Sequence, residues 1–194
     1  MEQFNIFPVT SVKQPKSGQV LIAEPLLNDP NFTRSVILLC EHSNEGSVGF
    51  VLNQVTELTL NDLAKDIYAS HIGIYQGGPV QADTLHMLHR VPGNITGGME
   101  VAKGIYWGGS YDELKEMVWN DDCGPSDIRL FMGYSGWGPG QLEKEIKEGT
   151  WLITDATDQL LFDTDPQDIW KKAIELLGRK YAFLANMPTD PQMN

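Results

Sequence analysis

The segment Gly133-Tyr-Ser-Gly-Trp-Gly-Pro-Gly-Gln-Leu142 constrains the fold more than any other part of the chain, because four glycines and a tryptophan separate two contrasting runs. Ile128-Arg-Leu-Phe-Met132 reads as a buried strand, and Gln141-Leu-Glu-Lys-Glu-Ile-Lys147 as a helix closed by Gly149. Glycine tolerates backbone conformations closed to other residues, so the spacing predicts a strand-to-helix turn. Such a turn either presents backbone N–H groups to an anion or packs tightly around Trp137. Tight packing is the simpler account.

Known phosphate motifs do not fit this turn. A P-loop needs Gly-Lys-Ser/Thr after its first glycine and four further residues, but Pro139 stands where the lysine belongs. A dinucleotide fingerprint needs Gly-x-Gly-x-x-Gly, whereas Gly136, Gly138 and Gly140 are spaced two apart. A nucleophile elbow is nearer: Gly133-Tyr-Ser135-Gly-Trp137 places a serine at the turn, yet Trp137 replaces the second glycine. His42, His71, His86 and His89 all precede Ser135, against the usual hydrolase order. A serine hydrolase built on Ser135 is therefore the alternative reading, and no catalytic residue is assigned in the leading one.

The chain of 194 residues fits one domain with a full core. Residues 1–17, with Pro8 and Pro15, read as an N-terminal arm, and 18–194 as a single α/β domain. Strands are expected at Gln19–Ala23, Thr33–Cys40 and Ser47–Asn53, the last two forming a hairpin across the turn residues Ser43–Gly46. Further strands are expected at Ile72–Tyr75, Thr84–His89, Val101–Trp107, Trp151–Thr154 and Leu160–Phe162. Thr59 opens a short helix through Ile67, and Ser110-Tyr-Asp-Glu113 is a capping box for a helix to Trp119. Asp165 caps a last helix with Pro166 in its first position and Gly178 beyond its end. Hairpins in the first half and strand–helix alternation in the second predict a mixed sheet with about four helices.

Fourteen basic against 26 acidic residues give a net charge of -12, which opposes direct nucleic-acid binding. No apolar run reaches the roughly 18 residues of a membrane helix, and the N-terminus lacks the order of a secretory signal, so a cytoplasmic protein is expected. Cys40 and Cys123 form no Cys-x-x-Cys, and Cys40 reads as a small core residue. His86-x-x-His89 would place its imidazoles on opposite faces of a strand, and the acidic run Asp155–Asp168 lacks an EF-hand glycine and glutamate. No metal and no cofactor is expected.

Arg34 precedes an apolar run, where a guanidinium needs a carboxylate partner such as Glu41 or Glu24, carbonyl groups, or else an anionic ligand. Arg34, Glu41, His42, Asn53, Gly77 and Gly78 all sit at predicted strand ends, where pockets in α/β proteins open. With Ser135, Gly136 and Trp137 they form the candidate ligand-binding set.

Four signatures now stand in order: Gly18-Gln-Val-Leu-Ile-Ala-Glu-Pro with Asp29-Pro-Asn-Phe-Thr-Arg-Ser-Val36; Cys40-Glu-His42 with Gly46-Ser-Val-Gly-Phe-Val-Leu-Asn53; Gln76-Gly-Gly-Pro-Val80; and the glycine turn. Together they resemble the YqgE/AlgH family of bacterial cytoplasmic proteins, over roughly Gly18 to Gly178. The resemblance implies a compact α/β structure with a mixed, partly barrel-like sheet surrounded by helices. It also implies a regulatory label without an established activity. The expected function is a non-enzymatic binding or regulatory protein with a small-molecule or protein partner.

Overall fold

The computed structural model describes residues 14–64, 72–91 and 93–187. In chain order the elements are β1 (Gln19–Ala23), β2 (Val36–Ser43), β3 (Gly46–Val51), β4 (Val55–Thr59), α1 (Leu60–Leu63), β5 (Gly73–Gln76), β6 (Val80–His89), β7 (Met99–Ala102) and β8 (Ile105–Trp107). They continue with α2 (Tyr111–Trp119), β9 (Ile128–Trp137), α3 (Gln141–Lys147), β10 (Trp151–Asp155) and α4 (Ile169–Leu176), a π-helical turn over Gln159–Asp163 preceding α4 and a 3-10 segment over Arg179–Asn186 following it.

The strands form one mixed sheet in the order β10-β1-β2-β3-β9-β6-β8-β7, and β4 pairs with β5 beside it. The pairing of β5 with β9 is parallel, while every other described ladder is antiparallel. The expected mixed α+β class is the one observed. The sheet curls without closing into a barrel: a Cβ added to Gly18 would lie 2.7 Å from the Val101 carbonyl of β7, yet β10 and β7 share no ladder.

Both faces are covered along Val20–Ala23 of β1 and Val36–Cys40 of β2, so these runs are apolar continuously instead of alternating. The inner face carries Val20, Ile22, Leu38, Phe50 and Phe131, closed by Ile169, Trp170, Ala173 and Ile174 of α4. The outer face carries Leu21, Ile37, Val51, Trp137 and Trp151 beneath Leu142 of α3. A third cluster packs Leu114, Met117 and Val118 of α2 against Ile74, Met87 and Leu130.

Several local expectations change. The run Gly133–Trp137 is strand, not turn, because Gly49, Val48 and Ser47 of β3 pair with Ser135, Gly136 and Trp137. The turn shrinks to Gly138–Gly140, with Gly140 left-handed at φ 71°. Leu160–Phe162 is a π-helical turn instead of a strand: its three buried apolar residues carry no period that separates the two. Val101–Trp107 folds as the β7–β8 hairpin around Gly104 at φ 75°. Helix α4 begins at Ile169, since Asp165 first closes a turn by accepting from the Gln167 N–H. The capping box at Ser110 is half made: Ser110 accepts from Glu113 N, but the Glu113 carboxylate accepts instead from the amide and hydroxyl of Thr96. Residues 1–13 of the expected arm and the extension of α1 to Ile67 lie outside the described residues.

Candidate functional site

The Gln76-Gly-Gly-Pro-Val80 segment carries the chain from one edge of β9 to the other. Strand β5 runs parallel to β9 through Tyr75↔Phe131 and Gln76↔Met132, and β6 begins antiparallel on the opposite edge at Val80↔Tyr134. The crossing passes directly over Gly133–Ser135. A Cβ on Gly77 would lie 2.3 Å from the Gly133 carbonyl oxygen, and one on Gly78 would lie 2.3 Å from the Tyr134 carbonyl. No side chain fits at either position, and Gly133 itself is left-handed at φ 65°. Hydrogen bonds pin the crossing: Gly77 N donates to the Met132 carbonyl at 2.8 Å, and the Gly77 carbonyl accepts from Val51 N at 2.9 Å and from Ser135 Oγ at 3.1 Å. Ser135 is fully buried. None of the described histidines hydrogen-bonds its hydroxyl; His42 is held by Ser47 at 2.8 Å, His86 by Thr84 and His89 by the Gly108 carbonyl.

Past Ser135, the end of β9 separates two clefts. On the inner face a cleft of about 390 Å3 is lined by Glu41, Glu45, Val48, Val80, Tyr134 and Gly136. On the outer face a cleft of about 270 Å3 is lined by Asp29, Phe32, Trp137, Gln141, Glu145 and Trp151. Exposed Gly136 borders both. Trp137 is nearly buried, and its indole N–H donates to Glu145 Oε2 at 2.9 Å. The same oxygen accepts from the Trp151 indole at 2.8 Å, and Oε1 accepts from the Gln141 amide at 2.9 Å.

The structure splits the candidate set between two ends of the sheet. Glu41, His42, Gly136 and Trp137 gather at the β9 end, where His42 Nε2 stands 3.8 Å from Glu143 Oε1 of α3. Arg34 and Asn53 lie at the other end of β2, eight residues from His42, or about 26 Å along an extended strand. Asn53 closes the chain there, its Oδ1 accepting from Val36 N and its Nδ2 donating to the Arg34 carbonyl. Arg34 is left-handed at φ 50°, stacks its guanidinium 4.5 Å from the Trp170 ring and donates to the Met187 carbonyl. Burial lowers its pKa. Neither Glu41 nor Glu24 is among its ion-pair partners within the described residues; a carbonyl and an aromatic face take that place.

A model of the AlgH-like family matches residues 20–182. The chain belongs to the AlgH-like family. The UPF0301 protein of Bacteroides thetaiotaomicron is 40% identical over 181 residues, 93% of this chain and 92% of that one. That of Chlorobaculum tepidum is 38% identical over 179 residues, covering 92% and 96%. The solution structure of the AlgH protein from Pseudomonas aeruginosa matches with a TM-score of 0.69 at 32% identity, over 91% of this chain and 97% of that one. A crystal structure from Corynebacterium diphtheriae matches at 0.78 and 23% identity over 96% and 100%, a likeness of fold.

The glycine signatures that carry the AlgH-like resemblance are thus the parts of the crossing. Other residues of this AlgH-like chain escaped the reading of the sequence. Glu145 sits on a helix of ordinary charged residues, and only the fold brings Trp137 and Trp151 to it. Arg129 is buried at 4% exposure inside strand β9, donates to the carbonyls of Leu52 and Thr164 and lies 4.8 Å from the Tyr75 ring. Burial lowers its pKa, opposed by Tyr75 and Asp163. The sequence marks Ile128–Met132 as a buried strand, but not the carbonyls and the ring that satisfy its arginine. Among the described residues no group of three metal-ligating side chains converges, and no helix is long and apolar enough to cross a membrane.

Proposed function

We propose that this AlgH-like protein is a non-enzymatic binding protein of the bacterial cytosol, regulatory in role, which takes a small-molecule or protein partner at the end of β9. The observation that carries this reading is the position of Gly136 and Trp137 between two clefts, at a strand end held rigid by the Gly77–Pro79 crossing. Rigid elements flanking a concave space are what ligand sites are built on. Residues Glu41, His42, Gly136 and Trp137 belong to this site. The Ser135 hydroxyl is engaged with the Gly77 carbonyl, which favours binding over the serine-hydrolase alternative. Gly77, Gly78 and Ser135 support the site from beneath, while Arg34 and Asn53 organise the far end of the sheet.

Direct nucleic-acid binding is not part of the reading. The net charge of -12 opposes it. Lys171 and Lys172 lie on α4, whereas Arg179 and Lys180 follow the break at Gly178, and Lys172 pairs with Glu175 at 3.3 Å. Among the described residues these four make no single groove-fitting basic stripe.

Native mass spectrometry of the protein purified without denaturation tests the reading. A co-purifying mass is expected, and Gly136→Leu, which fills the boundary of both clefts, should release it while the fold persists. Recovery of the unliganded mass alone from cells, together with ester hydrolysis abolished by Ser135→Ala, would reverse the assignment.

A further inference from the structure

We infer that the outer cleft, between α3 and the loop holding Asp29 and Phe32, binds an alkylammonium cation. This inference rests on the β9-end reading above and narrows it to one cleft and one ligand chemistry.

Three features of the cleft converge on a cation. Its walls are aromatic: Phe32, Trp137 and Trp151 line it, with Phe32 and Trp137 each nearly perpendicular to Trp151, at 77° and 83°. Aromatic surface is where an organic cation recovers part of the hydration it loses, through attraction to the ring quadrupole. The charged lining is acidic, Asp29 and Glu145 beside the neutral Gln141 and Thr150, with no lysine or arginine among the lining residues.

The third feature is the state of Glu145. Its carboxylate is half-buried and satisfied by neutral donors, the two indoles and the Gln141 amide. Among the described residues no lysine, arginine or histidine lies within ion-pair distance of it. Those donors fix the orientation of the carboxylate and stabilise part of its charge, while no formal cation stands against it. A charge partly removed from water is stabilised by an opposite charge that the protein itself does not supply. An ammonium group supplies that charge, and its alkyl substituents match the aromatic walls. An anion would meet two carboxylates and ring faces of the same sign. A neutral ligand would leave the Glu145 charge as it is.

The test uses the full chain labelled with nitrogen-15. The indole N–H resonances of Trp137 and Trp151 report directly on the cleft, since both donate to Glu145. Choline is titrated as probe, alongside its uncharged carbon isostere, in which a tert-butyl group replaces the trimethylammonium. The inference expects choline to shift both indole resonances saturably at millimolar concentration and the isostere to bind at least roughly tenfold more weakly, a difference of the size of one charge-assisted contact. Glu145→Gln should weaken choline by a similar factor, whereas Asp83→Asn, an equal change of charge on exposed β6, should not. If Glu145→Gln lowers the melting temperature so far that it is not folded at the assay temperature, Asp29→Asn serves, with weakening again expected. Equal binding of the isostere, loss of shifts equal in both charge variants, or no saturable shift overturns the inference. Shifts at Val48 and Tyr134 without a shift of the Trp151 indole put the cation in the inner cleft and overturn it too. Native mass spectrometry separates this from the broader reading: a co-purified anion or neutral molecule held at the β9 end removes the cation and leaves the binding role standing.

Discussion

Trp137 and Glu145 are joined by a 2.9 Å hydrogen bond from indole Nε1 to carboxylate Oε2, which ties the end of β9 to α3. Trp151 of β10 donates to the same oxygen at 2.8 Å, so one carboxylate couples two strands that are not neighbours in the sheet. The turn Gly138–Gly140 makes this possible, since it turns the chain within three residues to start α3 against β3 and β10.

Trp137→Ala is accordingly expected to cost about 3–5 kcal/mol by urea unfolding, the usual loss for a buried tryptophan. Trp137→Phe keeps much of the packing but removes the donor, and should cost less. An unchanged melting temperature in Trp137→Ala would mean that the side chain does not anchor the fold.

The crossing over β9 gives a sharper expectation. Gly78→Ala places a Cβ 2.3 Å from the Tyr134 carbonyl at a φ of 154°, and backbone gives way far less readily than a side chain. Strain and overpacking together should exceed about 3 kcal/mol, so the variant should be recovered mainly as insoluble protein. Ser135→Ala, which loses one hydrogen bond to Gly77, should stay folded and cost about 1 kcal/mol. Equal stability of the two variants would show that the close approach at Gly78 is not a constraint.

Much of this fold is legible in local sequence, and the exceptions have a common cause. The β2–β3 hairpin, the cap at Ser110 and the glycine stop at Gly178 depend on residues near one another in the chain, and all three appear where expected. The glycine segment was misread because its strand character comes from β3, more than eighty residues earlier, and its glycines serve a crossing by Gly77 and Gly78. Glycines reveal that something passes close by, without saying what. The same limit applies to the site: the sequence puts Arg34 and His42 at the two ends of one strand, but whether later segments fold both ends into one pocket depends on the tertiary structure, and the extended strand holds them about 26 Å apart.

Arg34 holds the last described turn of the chain. Its guanidinium bonds to the Met187 carbonyl and lies on Trp170, so Arg34→Met should lower stability by about 1–3 kcal/mol. Limited proteolysis should also show faster cleavage beyond Leu184. Wild-type protection with loss of a co-purifying anion would return Arg34 to a ligand role.

Neither cysteine should behave as a reactive thiol. Cys40 is 1% exposed, and burial pushes its pKa well above the ordinary thiol range. Cys123 is pushed up to about 11 by burial and by the nearby charges of Asp127 and Asp122. Thiolate, not thiol, attacks electrophiles, so native protein at pH 8 should show almost no fast reaction with a disulfide reagent and two equivalents after denaturation. Rapid stoichiometric labelling of Cys123 in the native state would contradict this.

Acid should weaken the fold through two desolvated imidazoles, those of His89 and His86. His89 is fully buried, stacks on Tyr106 and has Nε2 3.1 Å from the Gly108 carbonyl. A carbonyl only accepts, so Nε2 carries the proton and Nδ1 is left as a buried lone pair without a partner. Protonating Nδ1 would create a buried donor with no acceptor. Desolvation therefore lowers the pKa of His89 below 6.5, the Gly108 bond opposing it only in part, and desolvation likewise lowers that of His86. Between these lowered values and 6.5 the unfolded chain binds more protons than the native one, so stability rises with pH across that window and is fully present above it. Glu24 acts in the opposite sense: burial raises its pKa above 4.5, which favours the native state as pH falls toward that value. On acidification from pH 7.5, the melting temperature should begin to fall near pH 6.5. His86→Gln combined with His89→Gln should flatten that fall relative to the variant's own value at pH 7.5. If the slope between pH 6.5 and 5.5 is the same in wild type and double variant, the imidazoles are not its source.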